Sequence, residues 1–127
     1  MAGTLTISTL SDGTNSTSST NCIQGSCKAW ASWSGATGTI RASYNVSSVT
    51  RNSTGYYTIN FTNAMVDANY SIGASGSTNG SQGALSLCTN SNDTTIIAPT
   101  TTAFSMSTAQ YAFGKFDSTY VNAQVFR

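Results

Sequence analysis

The carboxylates and thiols of this 127-residue sequence number seven. They are the carboxylates Asp12, Asp67, Asp93 and Asp117 and the thiols Cys22, Cys27 and Cys88. There is no His and no Glu. General acid–base work near neutral pH usually recruits His or a carboxylate with a raised pKa, and the four Asp residues stand far apart in sequence. Ser-His-Asp and Cys-His nucleophile systems are excluded outright. Three cysteines alone fall short of a closed structural zinc site. Cys22 and Cys27 are spaced C-x4-C, but an odd cysteine count speaks against a disulfide framework. The simpler reading is three reduced thiols packing as small apolar groups. Five cations against four anions give no basic patch for a nucleic acid. The expectation is a protein without catalysis, metal or cofactor.

What surrounds these few groups is polar and nearly uncharged. Ser and Thr supply 42 residues, and 11 Asn with 11 Gly bring the total to half the chain. Disorder normally pairs low hydrophobicity with high net charge; here 39% of residues are apolar and the net charge is +1. Ser, Thr and Asn suit turns and solvent-facing strand positions better than helices, so a folded all-β domain is expected. No run approaches the roughly 20 apolar residues that span a bilayer, and the opening MAGTLTIST lacks the features of a signal peptide.

Residues 1–24 read as an N-terminal arm and polar linker: a short strand in TLTISTL, then a loop without apolar residues from 11 to 21. The body, residues 25–127, opens with SCKAWASWSG, where Trp30 and Trp33 fall on opposite faces of a strand. TIRASYNV and YYTINF read as an antiparallel pair, with RNSTG as the turn between them. NYSIGAS and GALSLCT follow, then a turn at NSND, a short buried strand in TTIIA, and AFSMS. STAQYAFGKFDS reads as an irregular aromatic-bearing loop, and TYVNAQVFR closes the chain. About eight strands and no amphipathic helix point to an antiparallel β-sandwich or barrel-like fold. Trp30, Ile40, Tyr57, Ile59, Phe61 and Tyr70 are its expected core.

The body carries a distinctive pattern: K-A-W at residues 28–30, a glycine turn at 35–38, IRASYNVSSVT at 40–50, a turn with Gly55, YTINFTNAM at 57–65 and DANY at 67–70. This run of about 45 residues resembles a module recurrent in tailed-bacteriophage tail fibres and related virion proteins. It departs from the family at Val66, where Pro is frequent. The resemblance implies a non-enzymatic virion component, most simply a homotrimeric short tail fibre whose arm joins other virion proteins and whose sandwich tip meets the host. A capsid fibre or decoration protein, or a non-catalytic carbohydrate-binding module, are the alternatives. The implied partners are further copies of itself, other virion proteins and a host surface glycan or protein, with no nucleic acid and no membrane insertion.

Recognition surfaces normally sit on loops held by a rigid sheet. The candidate ligand-binding residues are therefore Ser77, Asn79, Gln82, Asn90, Asn92, Asp93, Tyr111 and Lys115. Aromatic rings beside amides suit sugars, since rings cover C–H groups and amides bond hydroxyls; Tyr111 and Trp33 are the aromatic residues this reading singles out. The alternative places loop aromatics in a subunit interface, with Leu5, Ile7, Arg41, Phe113 and Phe116 as its candidates. Arg41 is notable as a cation between apolar neighbours, suited to a stacked or hydrogen-bonded contact across a boundary or to a solvated face. Asp67 reads as a turn cap rather than a metal ligand.

Overall fold

A computed structural model describes residues 3–77, 84–88, 90–92, 95–110 and 114–127, with backbone alone for 84–88, 90–92, 95 and 110. The polar stretch expected to be a featureless linker carries local structure. Strands β1 (Thr9–Ser11) and β2 (Ser16–Ser18) form an antiparallel hairpin that runs into helix α1 (Ser19–Gly25). The cause is side-chain capping rather than burial. Asp12 Oδ1 accepts the N–H groups of Thr14 (3.0 Å) and Asn15 (2.7 Å), folding the tip around Gly13 at φ +93°. Ser18 then caps the helix by accepting the Asn21 N–H at 3.1 Å. Apolar periodicity carries no signal for such a segment, and the short helix buries no residue, so the all-β expectation stands. None of residues 3–26 is buried.

The remaining strands are β3 (Cys27–Trp33), β4 (Ile40–Tyr44), β5 (Val46–Ser53), β6 (Tyr56–Phe61), β7 (Ser71–Gly76), β8 (Ala84–Cys88), β9 (Asn90–Asn92), β10 (Thr95–Ile96), β11 (Ala103–Gln110), β12 (Gly114–Lys115) and β13 (Val121–Phe126). One sheet has the order β4-β3-β13-β7, all antiparallel. The other runs β12-β11-β6-β5, with β8 on the far edge of β11. Among the described residues, β9 and β10 form a separate hairpin. The expected antiparallel sandwich is present, with nine strands in its two main sheets among the described residues, against about eight expected.

Strict alternation builds the core between them. Ala29, Ala31 and Trp33 of β3 and Val121, Ala123 and Val125 of β13 face inward from one sheet; Tyr57, Ile59, Phe61, Phe104 and Met106 face them from the other. Trp33 meets Tyr57 edge-on at 5.8 Å between centroids, and Phe61, Tyr70 and Phe104 form a second aromatic cluster. Each fully buried large side chain contributes roughly 1.5–3 kcal/mol.

Four expectations need correction. Trp30 is not core: Trp33 takes the interior, and Trp30 is 41% exposed on the outer face. TTIIA is not a buried strand, since Ile96 is 81% exposed. The partner of YYTINF is β5, which takes in residues 51–53 of the expected RNSTG turn and leaves the turn itself at Thr54 and Gly55, while β4 belongs to the opposite sheet. Asn45 makes that crossover, at φ +54°, a conformation Asn tolerates better than most residues. Its Oδ1 accepts the Asn63 N–H at 2.8 Å, and its Nδ2 donates to the carbonyls of Lys28 and Asn63, both at 3.2 Å. Finally, much of STAQYAFGKFDS is ordered as the second half of β11 with β12 paired to it.

Candidate functional site

The densest polar cluster lies at one end of the sandwich, around Asp117. Arg51 on β5 donates to it twice, from Nε at 3.0 Å and Nη2 at 2.6 Å. The Gly55 N–H (2.9 Å) and the Tyr57 hydroxyl (3.1 Å) donate to Oδ1 as well. One carboxylate thus joins the β5–β6 turn to the segment leading into β13. Burial acts to raise the Asp117 pKa, but the Arg51, Gly55 and Tyr57 hydrogen bonds outweigh it and leave it below the ordinary carboxylate value. Burial pushes the Tyr57 phenol up to about 12, with the neighbouring Asp117 charge adding to that. A carboxylate held ionised by four donors is a poor base, and a phenol held protonated is a poor nucleophile. This cluster fastens; it is not poised for proton transfer.

The other described charges are engaged in the same way. Asp67 caps its turn as expected, accepting the Asn69 N–H at 2.8 Å, and also takes a bidentate ion pair from Arg127. The Arg127 hydrogen bond, then the Asn69 N–H, lower its pKa. Lys28 Nζ is held by the Ile23 carbonyl and the Ser26 hydroxyl. Cys22 and Cys27 are free thiols; Cys22 is exposed, not the packed apolar group expected, and Cys27 donates to the Ala29 carbonyl at 3.1 Å. Among the described residues, no three Cys or Asp side chains converge, and no helix is long and apolar enough to cross a membrane.

The candidate site residues fall in several places. Asn79, Gln82, Asp93, Tyr111 and Phe113 lie outside the described residues, and for Asn90 and Asn92 the backbone alone is described, in β9. Ser77 is tied to the chain before β13: its N–H donates to the Tyr120 carbonyl and its Oγ accepts the Tyr120 N–H. Lys115 places its ammonium 5.5 Å from the centre of the Tyr56 ring. Phe116 is half-buried, its backbone held at both N–H and carbonyl by Thr108. Leu5 and Ile7 are exposed in the N-terminal segment.

Arg41 has a specific explanation. Ser32 pairs with Ala42 and Trp33 with Ile40, so Arg41 is the extra residue of a β-bulge, a device that re-aims a side chain. Its guanidinium donates to the carbonyls of Trp33 (2.6 Å) and Thr119 (2.8 Å) and lies over the Tyr120 ring at 4.2 Å.

The outer face of the four-stranded sheet carries polar and aromatic side chains that are not among the candidate ligand or interface residues. Trp30, Tyr44 and Phe126 are exposed there, beside Asn122 and Gln124. Trp33, singled out for sugar contact, is buried, and Trp30 holds the surface position instead. The alternation of KAWASW foretells that one tryptophan points out; only the register across four strands shows what stands next to it. No protein-family model, curated protein or solved structure matches this chain.

Proposed function

We propose that this chain is a bacteriophage virion structural protein, a short tail fibre that assembles as a homotrimer and presents its sandwich to the host surface. The motif that resembles tail-fibre modules spans β3 to β6 and so supplies strands to both sheets. One observation carries the assembly half of the reading. Residues 3–26 bury none of their side chains and leave Leu5, Leu10 and Ile23 more than half exposed. A hairpin of three-residue strands and a seven-residue helix are each too short to hold alone in water. Such a segment gains stability when another subunit or another virion protein covers it, which suits an attachment arm.

The test is the position of the chain on an intact particle. Gold-labelled antibody against the chain is expected to decorate the tail in negative-stain images. Label spread over the head would favour the capsid fibre or decoration alternative. Particles that carry none of the chain would overturn the virion reading.

A further inference from the structure

The two outer faces of the sandwich are built differently. On the β5–β6 face the outward amides close on their neighbours: Asn52 Nδ2 donates to Thr58 Oγ1 at 2.8 Å, and Asn60 Nδ2 to Ser48 Oγ at 3.0 Å. On the opposite sheet the register sets Tyr44, Trp30, Gln124 and Gly73 in one row across β4, β3, β13 and β7. Ala42, Ser32, Asn122 and Ser75 form the next row. Tyr44 is 59% exposed, and Phe126 at the strand end 38%. The Trp30 indole N–H, the Tyr44 hydroxyl and the Gln124 carboxamide make no hydrogen bond within the described chain. Gly73 leaves space for that carboxamide: a Cβ there would stand 3.1 Å from Gln124 Nε2 and 3.3 Å from its Cγ. Between Trp30 and Phe126 the surface dips into an open groove of about 480 Å³.

We propose that this face is a saccharide platform, and that its ligand is a neutral polysaccharide of a cell surface. Trp30 and Tyr44 offer broad apolar ring surface, each with a polar tip. The indole N–H, the phenol and the carboxamide offer unspent donors and acceptors at the same level. A sugar ring presents the complement, with C–H groups on its faces and hydroxyls at its rim. The two rows hold no charged side chain, and the nearby Lys28 ammonium is engaged by the Ile23 carbonyl and Ser26. Nothing in the rows attracts an acidic sugar. A second protein surface fits less well, because interface centres concentrate apolar residues and these rows intersperse Ser, Asn and Gln among the rings.

The inference deepens the attachment reading and rests on it for the source of the sugar. An array of neutral and acidic oligosaccharides tests it with the full-length chain. The intact protein is expected to bind neutral oligosaccharides, with the signal falling at least tenfold in Trp30→Ala and Tyr44→Ala and measurably in Gln124→Ala. All three side chains point outward, so circular dichroism should be unchanged. Binding to acidic glycans alone, or no neutral signal above that of Trp30→Ala, overturns the platform. So does a change in oligomeric mass in Trp30→Ala, which would make the face an interface between copies. A chain labelled on the tail whose glycan signal ignores these substitutions keeps the fibre reading and loses this one.

Discussion

Replacing Asp117 with alanine is expected to destabilise the fold by about 3 kcal/mol, read as a fall of roughly 10 °C or more in the thermal midpoint. The substitution removes the acceptor of four hydrogen bonds at once and leaves the Arg51 guanidinium and the Tyr57 hydroxyl without their shared partner. Both sheets feel the loss, because Tyr57 also braces Trp33 across the core. Arg51→Ala should do less, since Gly55 and Tyr57 still satisfy the carboxylate. The ordering is itself a check: a smaller effect for Asp117→Ala than for Arg51→Ala would mean that the carboxylate is not the hub.

The same site sets an acid limit. The folded pKa of Asp117 lies below its ordinary value of 3.8. Its contribution is therefore fully present above about pH 4 and is lost as pH falls through the folded value. Asp12 and Asp67 are lowered as well, so the difference between the native chain and Asp117→Asn isolates the one carboxylate. That difference should shrink below pH 4 and stay flat from pH 5 to 8. The phenols act at the other end. Tyr57 and Tyr70 are both raised to about 12 by burial, so the stability held by their neutral forms is present below pH 10 and fades as pH rises through about 12.

Gly35→Ala is expected to cost about 3 kcal/mol as well, although only one methyl group is added. A Cβ at this position would lie 2.3 Å from the Ser118 carbonyl and 2.7 Å from the Tyr57 hydroxyl. The first contact is backbone and cannot swing aside. Relief requires moving residue 118, which breaks the Gly35 N–H to Ser118 carbonyl bond at 3.0 Å and pulls on Asp117 next to it. Gly25→Ala is the matched control, with nothing within 4 Å of the added methyl. Urea midpoints that move equally in the two variants would contradict this reading of Gly35.

What the sequence made legible followed from local alternation. YYTINF buries the face its period predicts, Tyr57, Ile59 and Phe61, whereas TYVNAQVFR, whose alternation allows both faces to be partly covered, buries Val121, Ala123 and Val125 and leaves Gln124 and Phe126 exposed. Trp30 and Trp33, three residues apart, do stand on opposite sides of one strand. What stayed hidden depends on features that period two does not encode. The Asn45 crossover sends the chain between sheets inside a segment that reads as one continuous strand. Arg41 owes its position to a bulge that register alone defines. Asp117 and Arg51 are 66 residues apart, and nothing in spacing connects them. The N-terminal hairpin and helix rest on Asp12 and Ser18 acting as caps, so a polar run that looks like a linker folds locally without burying anything. Of the candidate ligand and interface residues, several belong to segments outside the described structure, and Arg41 stays at the surface, held by the Trp33 and Thr119 carbonyls and the Tyr120 ring. The outer face of the four-stranded sheet became visible only when the pairing placed Tyr44, Trp30 and Gln124 side by side.

The claim beneath the proposed function is that this chain does not work alone: its N-terminal segment is built to be covered. The molar mass of the full-length chain in solution tests this most directly, by light scattering across a chromatographic peak at micromolar concentration. The expected result is three times the mass of one chain, falling to a single chain when Leu5, Ile7 and Leu10 are changed together to Ser while the sandwich keeps its β-type circular dichroism. A native chain that elutes as a stable monomer at that concentration would contradict it.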